Sequence, residues 1–289
     1  MVTQEQLEAL DLLLWFGGGP LAARRLGCNQ SSVSRRIRGC LEVMGLRLQR
    51  IGGRYRLRGR LDYLALERHL HQRVRLDRSR NLRLEATHCS SHLLGQPALD
   101  GWLLGRCDHQ GVDQLHGLLR DRILDAWLSS DGFDLPSPDD PDLTTIPLSR
   151  WPALLLAGSN HPLAGESGLE RSDLDRFPVL ELPETIYPRM AQAVAALGFG
   201  ASHTRLPRYD QGSWNLQSAD QVTLSFGSCL SSLATHQVRL DWDCGLQSGE
   251  TLVLRRDIAA HAAVAELVQQ LQSRFMALQP RCAELSLLA

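Results

Sequence analysis

Lysine is missing from this chain of 289 residues: all 31 basic side chains are arginine. Every cationic site is therefore a planar guanidinium fork, a shape that fits phosphate oxygens and guanine edges. There is also no Cys-x-x-Cys pair. The seven cysteines (Cys28, Cys40, Cys89, Cys107, Cys229, Cys244 and Cys282) form an odd set, which excludes a disulfide framework and a zinc finger as the organising principle. No apolar run reaches the roughly 18 residues that read as a membrane-spanning helix. The opening MVTQEQLEAL carries acidic residues where a secretory leader is cationic, so a cytoplasmic protein is expected. No His-Glu-x-x-His, Gly-x-Ser-x-Gly or phosphate-loop pattern occurs, so no catalytic residue, metal or cofactor is expected.

What is present is enough for two cores: 43% of the residues are apolar and 22% charged, in a length that suggests two domains. The formal net charge of −1 argues against a polyanionic partner only as an average. Residues 1–83 hold 17 arginines against 7 acidic side chains, a net of +10, and the remainder holds 14 against 25, a net of −11. A basic head precedes an acidic body, and an acidic body discourages non-specific wrapping of a polyanion.

In the head, Thr3 with Gln6 three residues on is a capping box, and Leu7, Leu10, Leu13 and Leu14 follow at helical spacing. Gly17-Gly18-Gly19 stops that helix. Pro20 suits the first turn of a short second helix, Leu21 to Leu26. Asn29 is an N-cap for a third helix that runs to Met44 and exits at Gly45. Val33, Ile37, Leu41 and Met44 make its inner stripe, while Gln30, Ser31, Ser32, Ser34, Arg35, Arg36 and Arg38 make its outer face. A short helix, a tight turn and a helix with such a polar face predict a helix-turn-helix. The alternating runs Leu46–Ile51 and Arg54–Arg58 flank Gly52-Gly53, a hairpin signal, with Arg54, Arg56 and Arg58 on one side of the second strand. The hairpin reads as a wing against a phosphate backbone, and the alternative is a solvated surface strand.

These residues resemble the winged-helix domain of the LysR-type transcriptional regulators. The resemblance rests on Ala22-Ala23, Leu26, Asn29-Gln30, Val33-Ser34, Ile37, Met44-Gly45 and Leu48; Cys40-Leu41, Gln49 and Ile51 depart from the family's pattern. It implies that Gln30, Ser31, Ser32, Ser34, Arg35 and Arg36 approach DNA bases or phosphates; Arg54 and Arg56 are expected at the phosphate backbone from the reading of the hairpin as a wing. Residues 59–81 read as a linker helix with Leu61, Leu64, Leu66, Leu70 and Val74 interspersed. That helix either pairs two subunits, as the resemblance implies, or packs on its own body.

Residues 82–289 alternate strands and helices, which predicts α/β lobes with mostly parallel sheets. The expected elements are a strand at 82–86, helices at 92–104 and 118–128, a buried strand at 151–157, a helix at 188–197, strands at 204–209 and 222–227, a strand at 251–255 and a closing helix at 259–275. Gly132-Phe133-Asp134 and His161-Pro162-Leu163-Ala164 after a buried strand resemble the same family, with a second lobe at about 154–254. The resemblance implies a winged helix-turn-helix (1–58), a linker (59–81) and a two-lobed effector domain (82–289) like the type 2 periplasmic binding proteins. Ligands of such lobes sit at strand ends and helix starts. The candidates there are Thr87, His88, Ser90 and Ser91, then Glu184 and Thr185, then Phe226 and Gly227.

The expected function is a dimeric or tetrameric DNA-binding regulator, with promoter DNA and an unidentified small-molecule effector as partners. The alternative is a solute-binding or cysteine-based redox sensor (Cys229 with Cys244) whose head no longer serves DNA. An enzyme or metal site using His88, His92, Cys107 and His109 is the third reading.

Overall fold

The computed structural model describes residues 2–87, 90, 97–108, 110–130, 132–181, 186–199, 203–204, 211–218, 220, 222–235 and 237–288. Helix α1 (Gln4–Phe16) opens on a reciprocal cap: Thr3 Oγ1 accepts from the Gln6 N–H at 3.3 Å, and Gln6 Oε1 accepts from the Thr3 N–H at 2.9 Å. It ends at Gly17 in the left-handed region, where a Cβ would be strained. Helix α2 (Gly19–Arg25) starts two residues before the sequence expectation, because Pro20 supplies its first turn. Helix α3 (Gln30–Met44) has the expected limits, with Asn29 as N-cap and Gly45 at a φ of 62° as its exit. Strands β1 (Arg47–Ile51) and β2 (Arg54–Arg58) pair antiparallel from Arg47↔Arg58 to Ile51↔Arg54. Gly52 and Gly53 both take positive φ between them, as a two-residue hairpin turn demands.

Helix α4 (Asp62–Asp77) buries Leu64, Arg68, Gln72 and Leu76, an i, i+4 series, on its own chain. Leu61, Tyr63, Leu66 and Leu70 point outward, 40% to 67% exposed. The anticipated seam is thus split, since the inward stripe is half polar and only part of the apolar set is left outside.

The first lobe is a five-stranded sheet built from β3 (Leu82–Ala86), β4 (Trp102–Leu104), β5 (Ala126–Ser129), β6 (Leu143–Pro147) and β12 (Thr251–Arg255), in the order β4-β3-β5-β12-β6. Helix α5 (Val112–Arg120) covers it. The second lobe holds β7 (Ser149–Ala157), α6 (Arg171–Leu174), β8 (Val179–Leu180), α7 (Pro188–Ala196), β9 (His203–Thr204), α8 (Gln211–Ser218), β10 (Ser225–Gly227), α9 (Cys229–Thr235) and β11 (Val238–Ser248). Helix α10 (Ala262–Leu278) buries Val264, Leu267, Leu271 and Phe275 in a core that also contains Leu82, Leu84 and Leu252, and β13 (Ser286–Leu287) pairs with β7. Among the described residues no helix is long and apolar enough to cross a membrane.

Three expectations are corrected. The helix expected at 92–104 is at its C-terminal end the strand β4, whose Trp102-Leu103-Leu104 lies between Gly101 and Gly105 and pairs parallel with β3. The helix expected at 118–128 ends at Arg120. Arg122 turns the chain at a φ of 57°, and Ala126–Ser129 is a strand buried on both sides, where an apolar run carries no period to separate helix from strand. The sheets are mixed: β3 is parallel to β4 and β5, but β12 runs antiparallel to β5 and β6, and β7 pairs antiparallel with β10 and β11. Two crossings between the lobes impose this, since β6 leads into β7 and β11 returns into β12. The His161 motif closes the turn after β7. The ring accepts the Leu163 N–H through Nδ1 at 3.1 Å and packs on Phe177, and burial pushes its pKa down.

Candidate nucleic-acid interface and inter-lobe site

The outer face of α3 is built by its cap. Asn29 Oδ1 accepts from the Ser32 N–H at 2.8 Å and from Ser31 Oγ at 2.7 Å, while Val33, Ile37 and Cys40 turn inward. Gln30, Ser31, Ser34, Arg35 and Arg38 are exposed, and Ser32 and Arg36 are half-buried. Arg35 donates to Ser32 Oγ at 3.2 Å, which orders a guanidinium at the helix start. A depression beside it is lined by Thr3, Glu5, Gln6, Ser32, Arg35 and Arg36. On the wing Arg56 and Arg58 are exposed. Arg54 is turned to the body, where it donates to the Gln110 carbonyl at 2.7 Å, and burial lowers its guanidinium below the usual range.

The head is seated on the first lobe. Its core (Leu10, Leu13, Phe16, Ala22, Val33, Ile37) continues without a break into Val112, Leu115, Leu119, Ile123 and Trp127. Polar contacts fix the seat. Asp11, 1% exposed, accepts from Arg68 of α4 at 2.9 Å and from Arg83 of β3 at 3.1 Å. Burial holds the Arg83 guanidinium below its ordinary value. Trp15 Nε1 donates to Glu85 Oε2 at 2.6 Å, and Arg106 donates to the Phe16 carbonyl at 3.2 Å. Arg75 pairs with the fully buried Asp125 at 2.8 Å, and Asp125 also accepts from Gln72 at 2.9 Å. Asp11 and Asp125 thus each have a counter-charge and hydrogen bonds, the condition under which burial is tolerated, whereas Glu85 is held by hydrogen bonds from neutral donors and burial pushes its carboxyl up.

Between the lobes lies a hydroxyl–carboxyl cluster. Thr87 Oγ1 bonds Ser90 Oγ at 2.9 Å and also Ser130 Oγ, and Ser90 Oγ donates to Glu250 Oε2 at 2.6 Å. Glu250 stands where β11 passes into β12. Its carbonyl accepts from the Leu148 N–H at 2.8 Å, so it ties the two crossing segments together. Gly249 is needed there, because a Cβ would run into the Ser149 carbonyl. Glu250 is fully buried, and its Oε1 has no hydrogen-bond partner among the described residues. Burial pushes the carboxyl up to about 8, with the Ser90 bond only partly opposing. A raised carboxyl pKa means that the folded protein holds a proton which the unfolded chain releases. Its contribution is therefore complete below the ordinary 4.5 and is lost as pH rises through about 8. Wild-type Tm should fall more between about pH 5 and about pH 8.5 than that of Glu250→Gln, and parallel profiles would contradict an ionisable group at this site.

No family model matches the chain, and no curated protein does. Solved structures match over most of its length. A point variant of full-length OxyR from Pseudomonas aeruginosa is 16% identical, covering 99% of this chain and 98% of its own, with a TM-score of 0.56. CbnR, a LysR family transcriptional regulator, is 14% identical over 93% of this chain and 98% of its own, with a TM-score of 0.54. The full-length CbnR complex with target DNA gives 13%, 93%, 98% and 0.53 in the same order. The chain has the fold of the LysR-type regulators.

Within that LysR-type fold, Gln30, Ser31, Ser32, Ser34, Arg35 and Arg36 share one helix face, Arg56 lies on the wing, and Arg54 faces the lobe. Thr87 and Ser90 come together as anticipated. His88, Ser91, Glu184 and Thr185 lie outside the described residues. Phe226 packs edge-on against Phe199 at 5.5 Å inside the second lobe. Gly227 is required by the closeness of Leu156 and Ser231. No hydrogen bond among the described residues joins these two to the Thr87 cluster. Cys244 donates to the Ala153 carbonyl at 3.0 Å, while Cys229 meets Cys282, and burial raises all three thiols.

Sequence reading missed Ser130, Glu250, Asp11, Trp15 and Glu85. One signal was present: Leu82-Arg83-Leu84-Glu85-Ala86 is buried at every position, and two charges in such a strand require partners from elsewhere in the chain.

Proposed function

We propose that the protein is a DNA-binding transcriptional regulator whose promoter binding responds to a small molecule held between its lobes. The observation that carries this reading is the outer face of α3, where Gln30, Ser31, Ser34 and Arg35 stand in solvent with Arg36 beside them. That is the arrangement a recognition helix needs in a major groove. The likeness to CbnR, solved with its target DNA, supports it. In this reading residues 1–58 bind DNA, 59–81 link and 82–289 regulate; Arg56 contacts phosphate from the wing, and Arg54 holds the wing to the body. The effector site is built around Thr87 and Ser90 with Ser130 and Glu250. Among the described residues no arginine joins that cluster, and in this reading the effector is neutral or weakly anionic. A gel shift on the region upstream of its own gene tests the reading. No shift at micromolar protein would favour a solute-binding or redox role instead.

The active species is a homodimer or a pair of dimers, with Tyr63, Leu66 and Leu70 on the outer face of α4 covered by a second copy. Three large apolar side chains at i, i+3 and i+7 form one stripe, and a dimer would set two α3 helices on the half-sites of a pseudo-palindrome. Leu66→Asp with Leu70→Asp should convert the dimer to monomer in light scattering with little change in Tm, because neither side chain is in the core. A dimer that survives both changes would place the interface elsewhere.

A further inference from the structure

Arg83 and Glu85 of β3 and Thr87, the residue just after it, are alternate positions along one line of the chain. Arg83 reaches Asp11 of α1 at 3.1 Å, Glu85 receives Trp15 of α1 at 2.6 Å, and Thr87 joins the hydroxyl cluster with Ser90 and Ser130. Asp11 and Trp15 are four residues apart, so a single face of α1 meets this strand at two points. Glu85 is the busiest of the three. Its carboxylate also accepts from the Cys107 N–H at 2.8 Å and from Gln110 Nε2 at 2.6 Å. The Gln110 carbonyl in turn holds Arg54 of the wing at 2.7 Å. Gly105 leaves the room for this, since a Cβ there would collide with the Glu85 carboxylate. Helix and wing of the head therefore converge on one fully buried carboxylate, two residues from the inter-lobe cluster.

We propose that Glu85 is a positioning residue for DNA recognition. It seats α1 and the wing on the first lobe, so that the lobe orients α3, and a change at the Thr87 end of β3 is passed to the head through it. The DNA arm of this proposal rests on the reading above; the strand-to-head arm does not. Charge-assisted hydrogen bonds in a dry site have narrow geometry and transmit small shifts of their acceptor. Coupling of two sites through a common element is reciprocal, so either end can be perturbed and the other observed.

The test uses the full-length protein with 15N-labelled tryptophan. The Trp15 indole resonance is assigned by its loss in Trp15→Phe. Glu85→Gln should move that resonance upfield and weaken binding to a duplex selected by the wild-type protein by roughly tenfold. Thr87→Val should shift the same indole resonance, whereas Thr87→Ser, which keeps the hydroxyl, should return it to the wild-type position. An indole resonance indifferent to Thr87→Val would overturn the coupling. A Glu85→Gln protein of lower Tm but unchanged DNA affinity would overturn the positioning role and leave Glu85 structural. If the wild type selects no duplex, the DNA reading fails, and the Thr87 variants still decide whether the strand reaches the head.

Discussion

Replacing Arg35 and Arg36 together with alanine should lower the affinity for specific DNA at least about tenfold, since a guanidinium reading a base edge is worth about 1–3 kcal/mol. The two side chains lie on the outer face of α3, and Arg35 is already held by Ser32 Oγ at 3.2 Å, so little ordering remains to be done on binding. Neither is part of the core, and Tm should hardly move. The salt dependence separates their roles. Each phosphate contact contributes about −0.9 to the slope of log K against log salt on duplex DNA, so loss of two such contacts flattens the slope by about 1.8. If the residues read bases instead, affinity falls and the slope stays. Competition assays from low to moderate salt measure both quantities. Unchanged affinity at moderate salt would remove α3 from the interface.

The second large effect is on stability. Asp11→Ala should destabilise the protein by about 3–5 kcal/mol, the usual cost of leaving a buried charge without its partner. Asp11 is the shared acceptor of Arg68 and Arg83, whose side chains are 4% and 5% exposed. Without Asp11, Arg68 is left with Asp121 at 3.7 Å and Arg83 with the Ile123 carbonyl at 3.1 Å. For a chain of this size the shift in Tm is on the order of 10 °C. Asp11→Asn keeps the shape and one acceptor and should fall between wild type and Asp11→Ala in denaturant titration. An Asp11→Ala protein as stable as wild type would show that the head is not bound to the lobe through this contact. The two predictions are independent: the first changes binding without stability, the second stability first.

The head was readable residue by residue. The Thr3–Gln6 box, the Asn29 cap, the Gly45 exit and the Gly52-Gly53 turn are each decided by atoms within a few residues. The wing's second strand was half legible: alternation put Arg54, Arg56 and Arg58 on one side, but Arg54 is claimed by Gln110, 56 residues away. Short apolar runs were the hardest to read, at 102–104, where Trp102 alone is buried, and at 126–129, buried at every position, because a run of apolar side chains carries no period.

The sequence by itself therefore determined a basic winged head, a linker helix and an alternating α/β body, since caps, turns and charge segregation are local properties. Only the tertiary structure decided where the head sits and which carboxyl lies between the lobes. Asp11 meets Arg83 across 72 residues, Trp15 meets Glu85 across 70, and Ser90 meets Glu250 across 160. A charged residue in a buried strand announces that it needs a partner. Which partner it receives depends on how distant segments pack, and no local pattern encodes that.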